Sequence, residues 1–489
     1  MTQAKLEPKS VFDFFAQINK IPRPSGKEDN MMNFLVDFAK SHGLEYATDA
    51  TGNVLIRKPA SPGMEDRKTT VLQSHMDMVC EKVAGLQFDF LKDAIQTEVD
   101  GDWMRAKGTT LGADDGIGDA IELAVLADDT IQHGPLECLF TRSEETSLAG
   151  ARGLSADLLK GDYLINLDSE DEGQIFISCA GGANTRAYFD LSYEPLAQDA
   201  FTFKMQIKGL VGGHSGDDIN KGRANANILL VRLLYTMMQQ YDLRLVDIQS
   251  GGLHNAIPRD GYAICAVSDK DKEKVRTLFN TMAADFEHEY AQTEKSMEFI
   301  LQSQPVEDRQ AIERQLGQKI VKACLGVRNG VFAMSQDIPN FVETSSNLAS
   351  IKITEDEGHK VVKVETMQRS NLTSKRLAAC DAVSCVFQLA GARVDVNTGY
   401  PGWQLDPKSP LLQIAVDAYE RLFGHKPEVK AIHAGLECGL FSEKYPHMDM
   451  VSFGPTLRGV LSPDERLLIP TVKMVWDLLL EILKQIPKK

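Results

Sequence analysis

The chain has no long apolar run, no basic stripe, no paired-cysteine motif and no internal repeat, and each absence removes a class of function. No stretch of about 18 apolar residues exists, so no membrane-spanning helix is expected. The N-terminal MTQAKLEPKSVFDFFAQINK carries charges and a proline where a secretion signal needs an apolar core, which points to a cytoplasmic protein. A net charge of −16 spread over 489 residues would repel a phosphate backbone. Neither nucleic acid nor a membrane is therefore an expected partner. The eight cysteines stand singly, at Cys80, Cys138, Cys179, Cys265, Cys324, Cys380, Cys385 and Cys438, and read as reduced, mostly buried thiols. What is present is an ordinary globular composition, 43% hydrophobic and 25% charged, in a chain long enough for two domains or one with a large insertion.

The first third alternates helical patterns with short apolar runs, the signature of a mainly parallel sheet with crossover helices. Strands are expected at Gly52–Arg57, Thr69–Ser74, Leu136–Thr141 and Tyr163–Leu167, with helices within Asp13–Lys40 and at Gly116–Ala127. From about Ala183 amphipathic strands such as Phe201–Lys208 and a long helix, Ala224–Gln240, suggest a separate α+β unit reaching Gly399. After Tyr400 a helix (Pro410–Phe423), a strand (Met450–Phe453) and a final helix (Thr471–Gln485) complete the first part. The expected fold is thus an α/β catalytic domain, 1–182 and 400–489, with an inserted α+β domain at 183–399.

The expected strand ends carry the chemistry. Ser74-His75-Met76-Asp77 follows one strand, and ligands collect at the carboxyl edge of such a sheet. The loop from Gly108 to Gly118 sets Asp114 and Asp115 among glycines, where the backbone can approach a ligand closely. Phosphate is the rival ligand there, but adjacent carboxylates repel it unless a metal intervenes. Arg142-Ser143-Glu144-Glu145 follows a third strand and Asp168-Ser169-Glu170 a fourth. So many acids at one edge are strongly unfavourable without a cation, and imidazole mixed with carboxylates suits zinc or a related divalent ion. Surface acids gathered by chance are the bland alternative.

In order along the chain, His75-Met76-Asp77, Gly112-Ala113-Asp114-Asp115-Gly116, Glu144-Glu145, Asp168 and Gly212-Gly213-His214-Ser215-Gly216 resemble the motifs of co-catalytic two-metal peptidases with an inserted lid domain. Lys107–Asp114, His433–Gly439 and Phe453-Gly454-Pro455-Thr456 are most similar to aminoacyl-histidine (Xaa-His) dipeptidases. The resemblance implies hydrolysis of dipeptides, Xaa-His or related and unblocked, by a water that the metals activate. It implies two zinc sites, with manganese or cobalt as alternatives, and a homodimer. Asp114 would bridge the metals, His75 and Asp168 would complete one site and Glu145 would serve the other. Glu144 would be the general base and Asp77 would orient His75. A cis peptide would join Asp114 to Asp115. His214 would stabilise the tetrahedral intermediate on lid closure, while Asn255 and Arg369 would meet the substrate, Arg369 through its carboxylate. Glu437 would hold the free amine or serve the structure, and Arg369 has a surface role as its alternative.

One position departs from the pattern. Members of such families carry a histidine two residues before a Pro-Asp-Glu segment, completing the site that Glu145 serves. Here the run is Gly459-Val460-Leu461-Ser462-Pro463-Asp464-Glu465, with Leu461 in that place. Leucine cannot bind a metal, so that site is expected to be weak. A non-catalytic relative that binds a peptide or amino acid is the alternative this residue keeps open.

Overall fold

The computed structural model describes residues 5–305, 307–404, 406 and 408–489, so residues 1–4 of the N-terminal stretch read above lie outside the described residues. The chain divides into two compact units, one of residues 1–178, 403–431 and 436–489, the other of 179–402 and 432–435. The short return 432–435 lies in the second unit, although the sequence reading leaves it with the first. Its backbone explains why, since the carbonyls of Ile432 and Ala434 both accept from the Ala180 amide.

The first unit is built on an eight-stranded sheet in the order Glu45–Thr48, Val54–Lys58, Leu136–Thr141, Thr70–His75, Tyr163–Asn166, Asp449–Ser452, Gln174–Cys179, Glu428–Ile432. Its four central strands are parallel, and the pairings beyond them from Glu45 to Leu136 and from Ser452 to Phe176 are antiparallel. Strands Thr70–His75 and Leu136–Thr141 are buried at every residue. That is why they read as continuous apolar runs rather than alternating ones. Helices Lys9–Ile18, Ala113–Ala127, Pro410–Phe423 and Ile469–Gln485 contribute to one core with the sheet, so the two ends of the chain close over the same apolar centre. Helix Pro410–Phe423 shows its boundaries in sequence: Ser409 Oγ accepts from the Leu412 amide, Pro410 opens the first turn, and Gly424 (φ 79°) ends it in the left-handed region.

A small four-stranded sheet, missed in the sequence, joins Leu457–Arg458, Arg466–Leu468, Trp103–Ala106 and Thr97–Asp100 in that order. Its strands are two to four residues long, too short to show a period. It makes residues 459–465 the tip of a hairpin and sets that tip's strands beside the segment leading into the Asp114 loop.

The second unit carries an antiparallel sheet whose central hairpin pairs Val342–Asp356 with His359–Ser370. Helix Ala226–Gln240 packs in its core, capped by the Asn225 side chain, which accepts from the amides of Asn227 and Ile228. Among the described residues, no helix is long and apolar enough to cross a membrane.

Candidate metal centre

His75 is the last residue of its strand, Asp168 lies two residues beyond strand Tyr163–Asn166, and both central strands run in the same direction. Their carboxyl ends therefore reach one edge. Asp114 stands at the head of helix Ala113–Ala127, where Asp114 and Asp115 have non-helical backbone angles, so the regular helix begins at Gly116. The peptide between Asp114 and Asp115 is cis, as the resemblance implies. His75 Nε2 lies 3.0 Å from Asp114 Oδ1 and 3.4 Å from Asp168 Oδ1. One donor atom each from His75, Asp114 and Asp168 falls within 4.8 Å of the others, and the same holds for His75, Glu144 and Glu145.

Glu144 and Glu145 do not sit on an extended strand end. They open a helical turn, Glu144–Ser147, entered through Ser143 in the left-handed region (φ 50°). Successive helical residues diverge by about 100°, so the two carboxylates still leave the backbone in different directions. Asp77 anchors that turn as well as His75. Its Oδ1 lies 3.3 Å from His75 Nδ1 and accepts from the Glu144 amide at 3.0 Å, while Oδ2 accepts from Ser25 Oγ at 2.7 Å and the Glu145 amide at 3.3 Å. Burial alone would raise the Asp77 pKa, but hydrogen bonds from His75, Ser25 and Glu144 prevail and hold it down to about 2.

Without a cation the remaining acids cannot all ionise. Burial, then the charges of Asp114 and Glu144, push Glu145 up to about 11. Burial pushes Asp168 up to about 6 against the pull of His75, and burial raises Glu144 and Asp115 well above the carboxylate range. Glu145 Oε1 is buried without a hydrogen-bond partner among the described residues. One imidazole, several carboxylates and an orphaned buried oxygen fit divalent cations.

Glu437 opens helix Glu437–Lys444 and is fully buried. Its Oε2 accepts from Gln73 Nε2 (2.6 Å) and Thr141 Oγ1 (2.7 Å), its Oε1 has no partner among the described residues, and burial lifts it to about 8. Sequence reasoning missed Glu465, whose carboxylate accepts from the backbone amides of the Asp114 loop. A buried acid that serves as an acceptor for backbone amides leaves no motif.

The second unit gathers a cluster of opposite character. Arg369 is 2% exposed, although its sequence allows a surface role. It donates to Tyr400 Oη at 2.8 Å and lies 3.4 Å from Ser215 Oγ, and its Nη2 is 3.3 Å from His214 Nε2. His214 Nδ1 accepts from the amides of Gly216 and Asp217, both at 3.2 Å, which leaves the proton of a neutral ring on Nε2. Burial, then Arg369, lowers the His214 pKa to about 3, so the ring is neutral. Asn255 is exposed, and its carbonyl accepts from the Ser215 amide at 2.8 Å beside the short pairing of His214 with Ala256. His433, buried and bonded through Nε2 to Ser345 Oγ at 2.7 Å, belongs to this unit.

Residues 71–485 match the peptidase family M20/M25/M40. The chain belongs to this family. It is accordingly an enzyme and a metallopeptidase. It is 43% identical over 486 residues to the cytosol non-specific dipeptidase of Escherichia coli (strain K12), covering 99% of each chain. The crystal structure of aminoacylhistidine dipeptidase from Vibrio alginolyticus is 43% identical, with a TM-score of 0.86 over 99% of this chain and 98% of that one. A tripeptidase from Staphylococcus aureus, 15% identical with a TM-score of 0.59 over 99% of each chain, shares the fold. Nothing in these relatives supports the non-catalytic binder as an alternative. Leu461 itself sits at the hairpin tip, 47% exposed and in the left-handed region (φ 61°).

Proposed function

We propose that the chain is a two-metal dipeptidase of unblocked dipeptides, Xaa-His among them. The observation that carries the reading is that His75, Asp114, Asp168, Glu144 and Glu145 fall into two overlapping sets of donors, with the charge of Asp114 bearing on Glu145. The names of the relatives at 43% identity supply the substrate class. His75, Asp114 and Asp168 would hold one cation, Asp114 and Glu145 the other, with zinc the expected ion and manganese or cobalt as substitutes. Bound cations polarise the peptide carbonyl and increase the acidity of water.

The chain's own residues do the rest. Asp77 fixes the His75 ring through Nδ1 and leaves Nε2 free to bind. Glu144 takes a proton from the attacking water and returns it to the leaving amine. The His214 Nε2–H is a neutral donor suited to an oxygen that becomes negative in the transition state. Arg369, buried beside Tyr400 and Ser215, binds the dipeptide carboxylate. Asn255 contacts the peptide, and Glu437 Oε1 takes the free amine. Residues 183–399 act as lid and dimerisation domain in a cytoplasmic homodimer.

Hydrolysis of a dipeptide panel with added zinc, manganese or cobalt tests the reading. Unblocked dipeptides should be cleaved and their N-acetyl or C-terminal amide forms cleaved poorly. Equal cleavage of blocked and free forms would exclude a dipeptidase, and full activity after exhaustive chelation would exclude the metal reading.

A further inference from the structure

Four consecutive backbone amides of the loop that carries Asp114 are received by one carboxylate. Glu465 Oε2 accepts from the amides of Leu111 (2.8 Å) and Gly112 (3.0 Å), and Oε1 from Ala113 (2.8 Å) and Asp114 (3.2 Å). Glu465 is buried where the tip of the hairpin runs into its second strand, which pairs with Trp103–Ala106, the strand that leads into this loop. The loop is held from its carbonyl side as well. Arg23 Nη2 donates to the Gly112 carbonyl at 2.6 Å, and Nη1 donates to the carbonyl of Asp77 at 2.9 Å, beside the His75 strand end. Gly112 leaves room for that guanidinium, because a Cβ there would lie 2.6 Å from Nη2, and at Gly116 it would lie 2.4 Å away.

An ionised carboxylate has two oxygens and about four lone-pair sites, so it can accept all four bonds, whereas a carboxamide offers one oxygen and turns an N–H donor toward the others. Bonds of this kind, with a charged acceptor, are roughly twice as strong as neutral ones. The amides concerned also have no helical partner, since they precede the regular helix. The backbone shape of 111–114, and with it the direction of the Asp114 side chain, therefore depends on an acid some 350 residues away in sequence.

We propose that Glu465 is a positioning residue of the metal centre, setting the Asp114 carboxylate so that both cations share it. The proposal rests on Asp114 being the bridging ligand. Glu465→Gln keeps size and removes acceptor capacity, while Glu465→Asp keeps charge and shortens reach. Three properties are measured: amide hydrogen exchange of residues 110–116 in the metal-free protein, affinity for both zinc ions by chelator competition, and kcat against KM. Glu465→Gln should speed exchange in that segment at least tenfold. It should weaken both metals by about 10–100-fold, and lower kcat by a similar factor while KM stays within threefold. Glu465→Asp should fall between it and the parent, and supplies the same measurements if the glutamine variant fails to fold. Loop exchange and metal affinities within twofold of the parent would overturn the proposal, whether or not activity falls, because a merely structural role lowers thermal stability and leaves the folded centre intact. Asp114→Asn run in parallel separates the two ideas. Retention of both metals there would overturn the bridging ligand, whereas loss there with none in Glu465→Gln would overturn the positioning role alone.

Discussion

The two units solve the problem of assembling a reactive cluster in different ways. In the first, parallel strands put their carboxyl ends on one edge, so His75, Glu144, Glu145 and Asp168 arrive from separate stretches of chain with no need for neighbouring positions in sequence. In the second, antiparallel strands send successive ends to opposite edges, and the cluster forms instead from cross-strand neighbours and short turns. Arg369 is paired directly with Ser345, which holds His433, and His214 is paired with Ala256 next to Asn255. The first cluster is acidic around a single imidazole, while the second buries a guanidinium beside a neutral imidazole. On the proposed reading, one sheet edge would collect metal donors and the other arrangement donors for a substrate's oxygens.

That contrast can be broken at four points. The largest effect is expected at Glu144, whose replacement by alanine should cut turnover by about 10²–10⁴-fold. Metal content measured in the same preparation should be unchanged. Joint loss of activity and metal would mean that Glu144 and Glu145 have exchanged roles. Arg369→Met should lower kcat/KM for free dipeptides by about 100-fold, in line with the loss of a buried charged contact. Its effect on C-terminal amide substrates should be small. An equal loss on both would remove the carboxylate from its task. Leu461→His should tighten the Glu145-side metal by about 10–100-fold and raise hydrolysis at limiting metal. No change in either would show that the hairpin tip does not reach that cation.

The smallest effect concerns stability in acid. Burial, then Arg369 and His214, depresses the His433 pKa to about 3, whereas the unfolded chain protonates it near 6.5. Its contribution is therefore fully present above pH 6.5 and is lost as pH falls, by roughly 1.4 kcal/mol per pH unit. At pH 5 that is about 2 kcal/mol, so His433→Gln should flatten the decline of unfolding free energy between pH 7 and pH 5 by this amount. Parallel stability curves for the two proteins would place the acid sensitivity elsewhere.

Much of the first unit was legible in the sequence because buried strands and their terminal acids leave strong local signals. Leu136–Thr141 and Pro410–Phe423 have the same bounds in sequence and structure, and Thr69–Ser74 shifts by one residue. The helical turn at Glu144 was not legible, since it depends on Ser143 adopting a left-handed backbone and on Asp77 receiving two amides from 67 and 68 residues away. The burial of Arg369 was hidden too, because Tyr400 and the adjacent His214 and Ser215, which surround it, come from two other segments. In the sequence Glu465 stands only as the end of a Pro-Asp-Glu run, and its bonds to loop 111–114 depend on the hairpin that places it.

The bonds from Glu465 to that loop also bear on synthesis. A ribosome that has delivered residue 168 has already made every candidate metal donor, yet the acceptor for the amides of 111–114 is still almost three hundred residues from being translated. Until then the amides of 111–114 lack this acceptor. If Glu465 sets the loop as proposed, the Asp114 carboxylate takes its place only once residues 457–468 have been made and have paired beside Trp103–Ala106.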